Sequence, residues 1–207
     1  MGKRRIISLD NHVYEPADLW TSRAEAKFQD RVPRIVHRDE DDSDWWMCDG
    51  RKGHSTGPGS QVGLRFEEPD KLKFADKVEN LRPGGYLPEE HVKDMELDGV
   101  DVSIVFPTVG LLLYSVPDGD LLNSLFRTYN DWVAEFCQGA PDQIKGVAML
   151  NIDDVQTGIT ELERCAKMGL AGAMITVYPP PERGYDSPEY EPLWAAAQDL
   201  ETPLNLH

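Results

Sequence analysis

The chain has 207 residues, enough for one domain with a sizeable core or for part of a larger one. Its 21 Lys and Arg against 37 Asp and Glu give a formal net charge of −16, which argues against nucleic acid or an anionic membrane as partner, since phosphate binding needs clustered positive charge. No apolar run reaches membrane-spanning length, the basic start from Met1 to Arg5 lacks a signal peptide's apolar stretch, and Cys48, Cys137 and Cys165 are unpaired in spacing, so a reduced, cytoplasmic protein is expected.

Arg5-Ile6-Ile7-Ser8-Leu9 is short, β-branched and followed at once by polar residues, and is predicted as the first strand. From about Val13 to Pro88 no period is sustained. The acidic run Asp39 to Asp44 and the Gly-rich run Gly53 to Gly59 mark residues 30–85 as a loop-rich insertion, with a short strand expected at Trp45-Trp46-Met47. A lid, a solvated excursion and the contact of a homo-oligomer are its candidate roles. Gly53, Gly57 and Gly59 lack the lysine and helix of a phosphate loop.

Regular alternation begins near Pro88. Glu89 to Leu97 reads as a helix stopped by Gly99, and Val102 to Phe106 as a strand ended by Pro107. Leu121, Leu122, Leu125, Tyr129, Trp132, Val133 and Phe136 recur at helical spacing, predicting a helix over Asp120 to Gln138. A strand at Gly146 to Leu150, a helix at Asp153 to Met168 and a strand at Ala171 to Val177 follow. After the Tyr178-Pro179-Pro180-Pro181 loop come a helix at Glu189 to Leu200 and a last strand at Pro203 to His207.

Apolar strands alternating with amphipathic helices are the pattern of parallel βαβ units. Five predicted strands fit two architectures: an open doubly wound sheet, or the first five strands of a (β/α)8 barrel of the TIM type. An open parallel sheet of five strands leaves its first and last strands as bare edges. The chain is therefore expected to be one barrel domain over residues 1–207, truncated at its C-terminus and not catalytically competent alone.

Asp10-Asn11-His12 directly follows the first predicted strand. Side chains at i and i+2 of an extended chain point the same way, so Asp10 and His12 aim at one point. A carboxylate with an imidazole suits Zn²⁺ or Mn²⁺, although a lone Asp-x-His in such a place is more often a loop or cap feature. His207 ends an apolar strand, where a satisfied core or edge histidine is the plain alternative. His54 and His91 are expected at the surface, and His37 beside the acidic run is expected to be solvated.

Four stretches together carry a resemblance: Ile7-Ser8-Leu9-Asp10-Asn11-His12-Val13-Tyr14-Glu15-Pro16; Asp94 to Asp101 leading into the second predicted strand and Pro107; Tyr129-Asn130-Asp131-Trp132; and Pro203-Leu204-Asn205-Leu206-His207. In order and spacing they resemble the amidohydrolase-related branch of the amidohydrolase superfamily, which includes metal-dependent decarboxylases of carboxylated aromatic and muconate-type compounds. The resemblance implies a divalent metal, Zn or Mn, held by Asp10, His12 and His207, with His207 also a catalytic residue. Asp10, where the superfamily more often has histidine, adds negative charge that weakens the ion as a Lewis acid and favours Mn²⁺.

Thr108 and Tyr178, at strand ends, are candidate substrate contacts with Glu15, for which a structural or gating role is the other reading. The implied activity is decarboxylation of a small carboxylated, aromatic substrate. Hydrolysis at the same site and a non-catalytic α/β binding module are the alternatives. The family's later catalytic histidine and its aspartate after the eighth strand have no counterpart among the five strands predicted here.

Overall fold

The computed structural model describes residues 4–61, 70 and 72–207. The first three residues, within the basic start read above as no signal peptide, and residues 62–69 and 71 of the predicted insertion lie outside the described residues. In chain order the first elements are β1 (Ile7–His12), α1 (Leu19–Arg23), β2 (Arg34–Arg38), β3 (Ser43–Cys48), β4 (Arg51–Ser55) and α2 (Gly57–Ser60). Then come α3 (Pro88–Asp98), β5 (Val102–Phe106), α4 (Gly110–Leu113), α5 (Gly119–Gln138) and β6 (Ile144–Met149). The last are α6 (Val155–Lys167), β7 (Gly172–Ile175), α7 (Glu191–Asp199) and β8 (Leu204–Leu206).

The larger sheet has five strands in the order β1-β5-β6-β7-β8, and every neighbouring pair is parallel. The order follows the chain with no reversal. A doubly wound sheet reverses at a switch point, so that alternative is set aside. The strands form a curled section of a (β/α) barrel wall.

The central strands are short and buried on both faces, as a parallel sheet requires: β7 is buried throughout, and Ile144, Val147, Ala148 and Met149 of β6 are buried. Helix α5 lays its apolar stripe on this sheet. Leu121, Leu125, Tyr129, Val133 and Phe136 are all buried, each contributing about 1.5–3 kcal/mol by its removal from water. Asp118 caps α5 by accepting from the backbone N–H groups of Asp120 and Leu121. Gly99 ends α3 in the left-handed conformation, φ 71°, which glycine adopts without strain. Cys137 and Cys165 are buried free thiols. Among the described residues no helix is long and apolar enough to cross a membrane.

The insertion differs from its expected loop-rich form. β2, β3 and β4 make a three-stranded antiparallel sheet, so the single short strand predicted at Trp45-Trp46-Met47 is the middle of a meander. Its outer strands, Arg-Ile-Val-His-Arg and Arg-Lys-Gly-His-Ser, are too polar to show a strand period. The two tryptophans divide across the sheet. Trp46 is buried, packs edge-on against Trp20 and donates from Nε1 to Tyr14 Oη at 3.1 Å. Trp45 lies under the Arg38 and Lys52 cations. Trp46 thus ties the insertion to the segment just after β1.

β1 and β8 are the two edges of the barrel section. Leu9 and Leu206 on them are 71% and 60% exposed, more than an apolar side chain on a buried sheet would be.

Candidate metal centre

Strand β1 runs further than predicted, through His12, so Asp10 and His12 both lie within it. His207 directly follows β8. The carboxyl ends of these two edge strands lean together, and the three residues that sequence reasoning singled out meet there. Asp10 Oδ1 lies 3.3 Å from His207 Nε2 and 3.6 Å from His12 Nε2, and the three ligand atoms fall within 4.8 Å of one another. Two ligands bound at about 2.1 Å to one ion at a tetrahedral angle stand roughly 3.4 Å apart, so this spacing suits a shared cation.

The imidazoles are prepared for that role. His12 Nδ1 donates to the Pro107 carbonyl at 2.7 Å, which fixes the tautomer and leaves the Nε2 lone pair facing Asp10. Burial lowers the His12 pKa from its ordinary value, against the opposing pulls of the Pro107 carbonyl and Asp10. A neutral ring is the metal-binding form. The two histidine rings stand edge to face at 5.2 Å, and both pack near the Phe106 ring, which forms an apolar floor at the end of β5. Asp10 is 75% exposed in its side chain, so the site opens to solvent. Two imidazole nitrogens and a carboxylate with an open side are a donor set that could hold a divalent cation.

Thr108 is half-buried beside this point, its hydroxyl donating to Val13 O at 2.7 Å and lying 3.5 Å from His12 Nδ1. Tyr178 is exposed on the loop after β7. Glu15 is placed differently. It is fully buried, and its carboxylate accepts from the backbone N–H groups of Thr108, Val109 and Gly110 at 3.3, 2.9 and 2.8 Å. Burial pushes its carboxyl pKa up to about 7 despite these donors. Those contacts pin the turn between β5 and α4.

A profile of the amidohydrolase family matches residues 24–207. The chain belongs to the amidohydrolase family. Among curated relatives it is similar to the gamma-resorcylate decarboxylase of Rhizobium radiobacter, 28% identical over 127 residues that make up 58% of this chain and 38% of the relative. Among solved structures, an amidohydrolase from Mycobacterium avium subsp. paratuberculosis K-10 superposes over 100% of this chain and 59% of its own, with TM-score 0.79 and 18% identity. A dihydroxybenzoic acid decarboxylase from Polaromonas sp. JS666, solved with manganese and the inhibitor 2-nitroresorcinol, covers 99% of this chain and 49% of its own, with TM-score 0.58 and 23% identity. The match thus spans less than half the length of the curated relative.

Some residues around this point escape sequence reasoning. His91, expected at the surface, is buried, with Nδ1 donating to Gly84 O at 2.9 Å and Nε2 3.0 Å from Ser103 Oγ. The correction has a readable cause. His91 lies four residues before buried Met95 on the inward face of α3, but its neighbours Glu89, Glu90 and Lys93 make the segment look solvated. His37 is held by Asp44 at 2.9 Å while its side chain stays 43% exposed. Asn11, between Asp10 and His12 on β1, donates to Ser103 Oγ at 2.6 Å.

Proposed function

We propose that the chain forms the metal-holding part of a divalent-metal-dependent decarboxylase acting on a small hydroxylated aromatic acid. The observation that carries this reading is the convergence of Asp10, His12 and His207, from opposite edges of the sheet, to ligand spacing at the carboxyl ends of the strands. The kinship with gamma-resorcylate decarboxylases and the manganese in the Polaromonas enzyme support the substrate class and the metal.

Asp10, His12 and His207 would hold the ion, which when bound supplies positive charge to fix a substrate carboxylate and a neighbouring hydroxyl. His12 keeps its Nε2 directed at that point through its bond to the Pro107 carbonyl. Phe106, buried at the end of β5, packs against both imidazoles and backs the metal point with an apolar side chain. Thr108 and Tyr178, on the loops at the same end of the strands, are the residues proposed to contact the substrate. The net reaction breaks the ring–carboxylate bond, releases CO₂ and leaves the bonding pair on the ring carbon, which takes up one proton to form the ring–hydrogen bond.

The test is to load the full chain with Mn²⁺ or Zn²⁺ and assay CO₂ release from dihydroxybenzoates beside hydrolysis of ester, amide and lactone substrates. Stoichiometric Mn²⁺ binding that is lost in His207→Ala is the expected result for this metal-holding part, and any turnover it supports is expected to be metal-dependent CO₂ release. Hydrolysis without CO₂ release would move the site to the hydrolase reading. A folded chain that binds neither metal would leave a non-catalytic module.

A further inference from the structure

We propose that Asn11, Ser103 and His91 form a positioning relay that holds a bulge in β1 and thereby aims Asp10 and His12 at the metal point. The inference rests on the reading that those two residues, with His207, hold a divalent ion.

The pairing of β1 with β5 is irregular. Ser8 lies opposite Ser103 and Asn11 opposite Val105, so three steps on β1 are matched by two on β5. Ser103 and Val105 share one face of β5, the buried face turned towards the helices, where Ser103 meets His91 of α3. Ser8 and Asn11 therefore both lie on that face although they are an odd number of positions apart. His12 pairs with Phe106 on the opposite face, where Asp10 also points. With regular pairing from Ser8 onward, Asp10 would lie opposite Val105 and turn its carboxylate towards the helices. The bulge is what places Asp10 and His12 together on the inner face, and re-aiming side chains is a recurrent use of bulges beside active sites.

A bulge leaves one residue without a ladder partner, so something must close it. Asn11 reaches back across it, Nδ2 donating to Ser103 Oγ at 2.6 Å. Ser103 is fully buried. With His91 Nδ1–H directed at Gly84 O, Nε2 is left to accept the Ser103 hydroxyl at 3.0 Å. Gly84 belongs to the one-turn helix Pro83–Gly85, and the Gly85 carbonyl accepts the backbone N–H of Tyr14 at 2.7 Å. Asp10 and His12 are thus bracketed: Asn11 is held through Ser103 and His91, and Tyr14 by the same turn that holds His91. Apolar side chains would fill positions 91 and 103 at lower desolvation cost. The polar chain found there ends on the residue between the two ligands.

The experiment is titration of the full chain with Mn²⁺ alone, followed by the electron paramagnetic resonance signal of free Mn²⁺, alongside thermal unfolding without metal. Ser103→Ala and Asn11→Leu are expected to weaken Mn²⁺ binding about tenfold or more while the folded spectrum is retained. His91→Gln, whose amide oxygen can accept from the Ser103 hydroxyl, is expected to stay within about threefold of the parent where His91→Leu does not. Asn11 lies on an edge strand, so Asn11→Leu carries the test if Ser103→Ala fails to fold. A lowered unfolding temperature with unchanged Mn²⁺ affinity in both variants would make the cluster merely structural and overturn the proposal. A parent that binds no Mn²⁺, or a His12→Ala variant that binds it equally well, would overturn the metal reading and this inference with it. That pattern is distinct from normal parental binding left untouched by the relay variants.

Discussion

Asp10 Oδ1 and His207 Nε2 stand 3.3 Å apart although 197 positions separate them and their strands are the two opposite edges of one sheet. The contact measures the curl of that sheet. Parallel strands tilt and twist in one sense, so the carboxyl ends of β1 and β8 converge across a concave face. An ion at this point would bridge the two edges and act as a clasp on the curl.

That relationship predicts a metal-dependent stability. A ligand that binds only the folded chain adds about 2.7 kcal/mol when its concentration is a hundredfold above its dissociation constant. Urea unfolding of the full chain with and without excess Mn²⁺ should show a gain of this order, reversed by chelator and absent in Asp10→Ala and His207→Ala. A gain that survives in either variant would place the ion elsewhere.

Glu15 predicts a pH dependence with a definite sign. Burial raises its carboxyl from the ordinary 4.5 to about 7 in the folded chain. Between those values the folded chain keeps a proton that the unfolded chain has released. Stability from this group is therefore fully present below about 4.5, falls as pH rises towards 7, and is level above it. The amount is on the order of 3 kcal/mol at 1.36 kcal/mol per pH unit. Glu15→Gln removes the titration, so its stability relative to the parent should improve from pH 5 to pH 8. Parallel pH profiles for the two proteins would count against a raised Glu15 pKa.

Gly110 gives a steric prediction beside the same turn. A Cβ there would lie 2.6 Å from Met149 Sδ, 2.8 Å from Pro107 Cβ and 3.1 Å from Glu15 Oε1. The Met149 side chain can shift only within a filled core, and the proline ring is fixed. Gly110→Ala should cost about 1–3 kcal/mol in urea unfolding with an unchanged denaturant slope. An unaltered midpoint would mean that the turn yields freely.

Legibility in the sequence follows how local the cause is. From Pro88 onward each element is written in its own residues: the α5 stripe from Leu121 to Phe136, the Gly99 stop, the β-branched run Val102 to Phe106. The pair Asp10 and His12 is legible because two-residue alternation is a local rule. The sheet β2-β3-β4 is not, because polar and cationic residues dominate its outer strands, and among its described residues Trp46 is the large apolar side chain that is fully buried. His91 and Ser103 are not, because a buried polar side chain looks like a surface one until its partners are known. The meeting of Asp10 with His207 depends on curl summed over five strands, which no window of sequence contains.

Asn130, in the Tyr129-Asn130-Asp131-Trp132 stretch of α5, supports the last prediction. It is fully buried, and its amide treats Met149 as a neighbouring strand would. Oδ1 accepts from Met149 N at 2.7 Å, and Nδ2 donates to Met149 O at 3.0 Å and to Glu161 Oε1 at 2.8 Å. This fixes the end of β6, the strand beside β5. Asn130→Ala would leave the Met149 N–H and C=O without these partners inside the core, at about 1–3 kcal/mol for each orphaned group. Asn130→Asp keeps the acceptor for Met149 N but turns a carboxylate oxygen towards Met149 O and Glu161, so at neutral pH it should lose at least as much as the alanine variant. Urea midpoints for the two variants decide the point. If the alanine variant loses less than about 0.5 kcal/mol, β6 is held by its ladder and by α5 packing alone, and the side-chain pairing is dispensable.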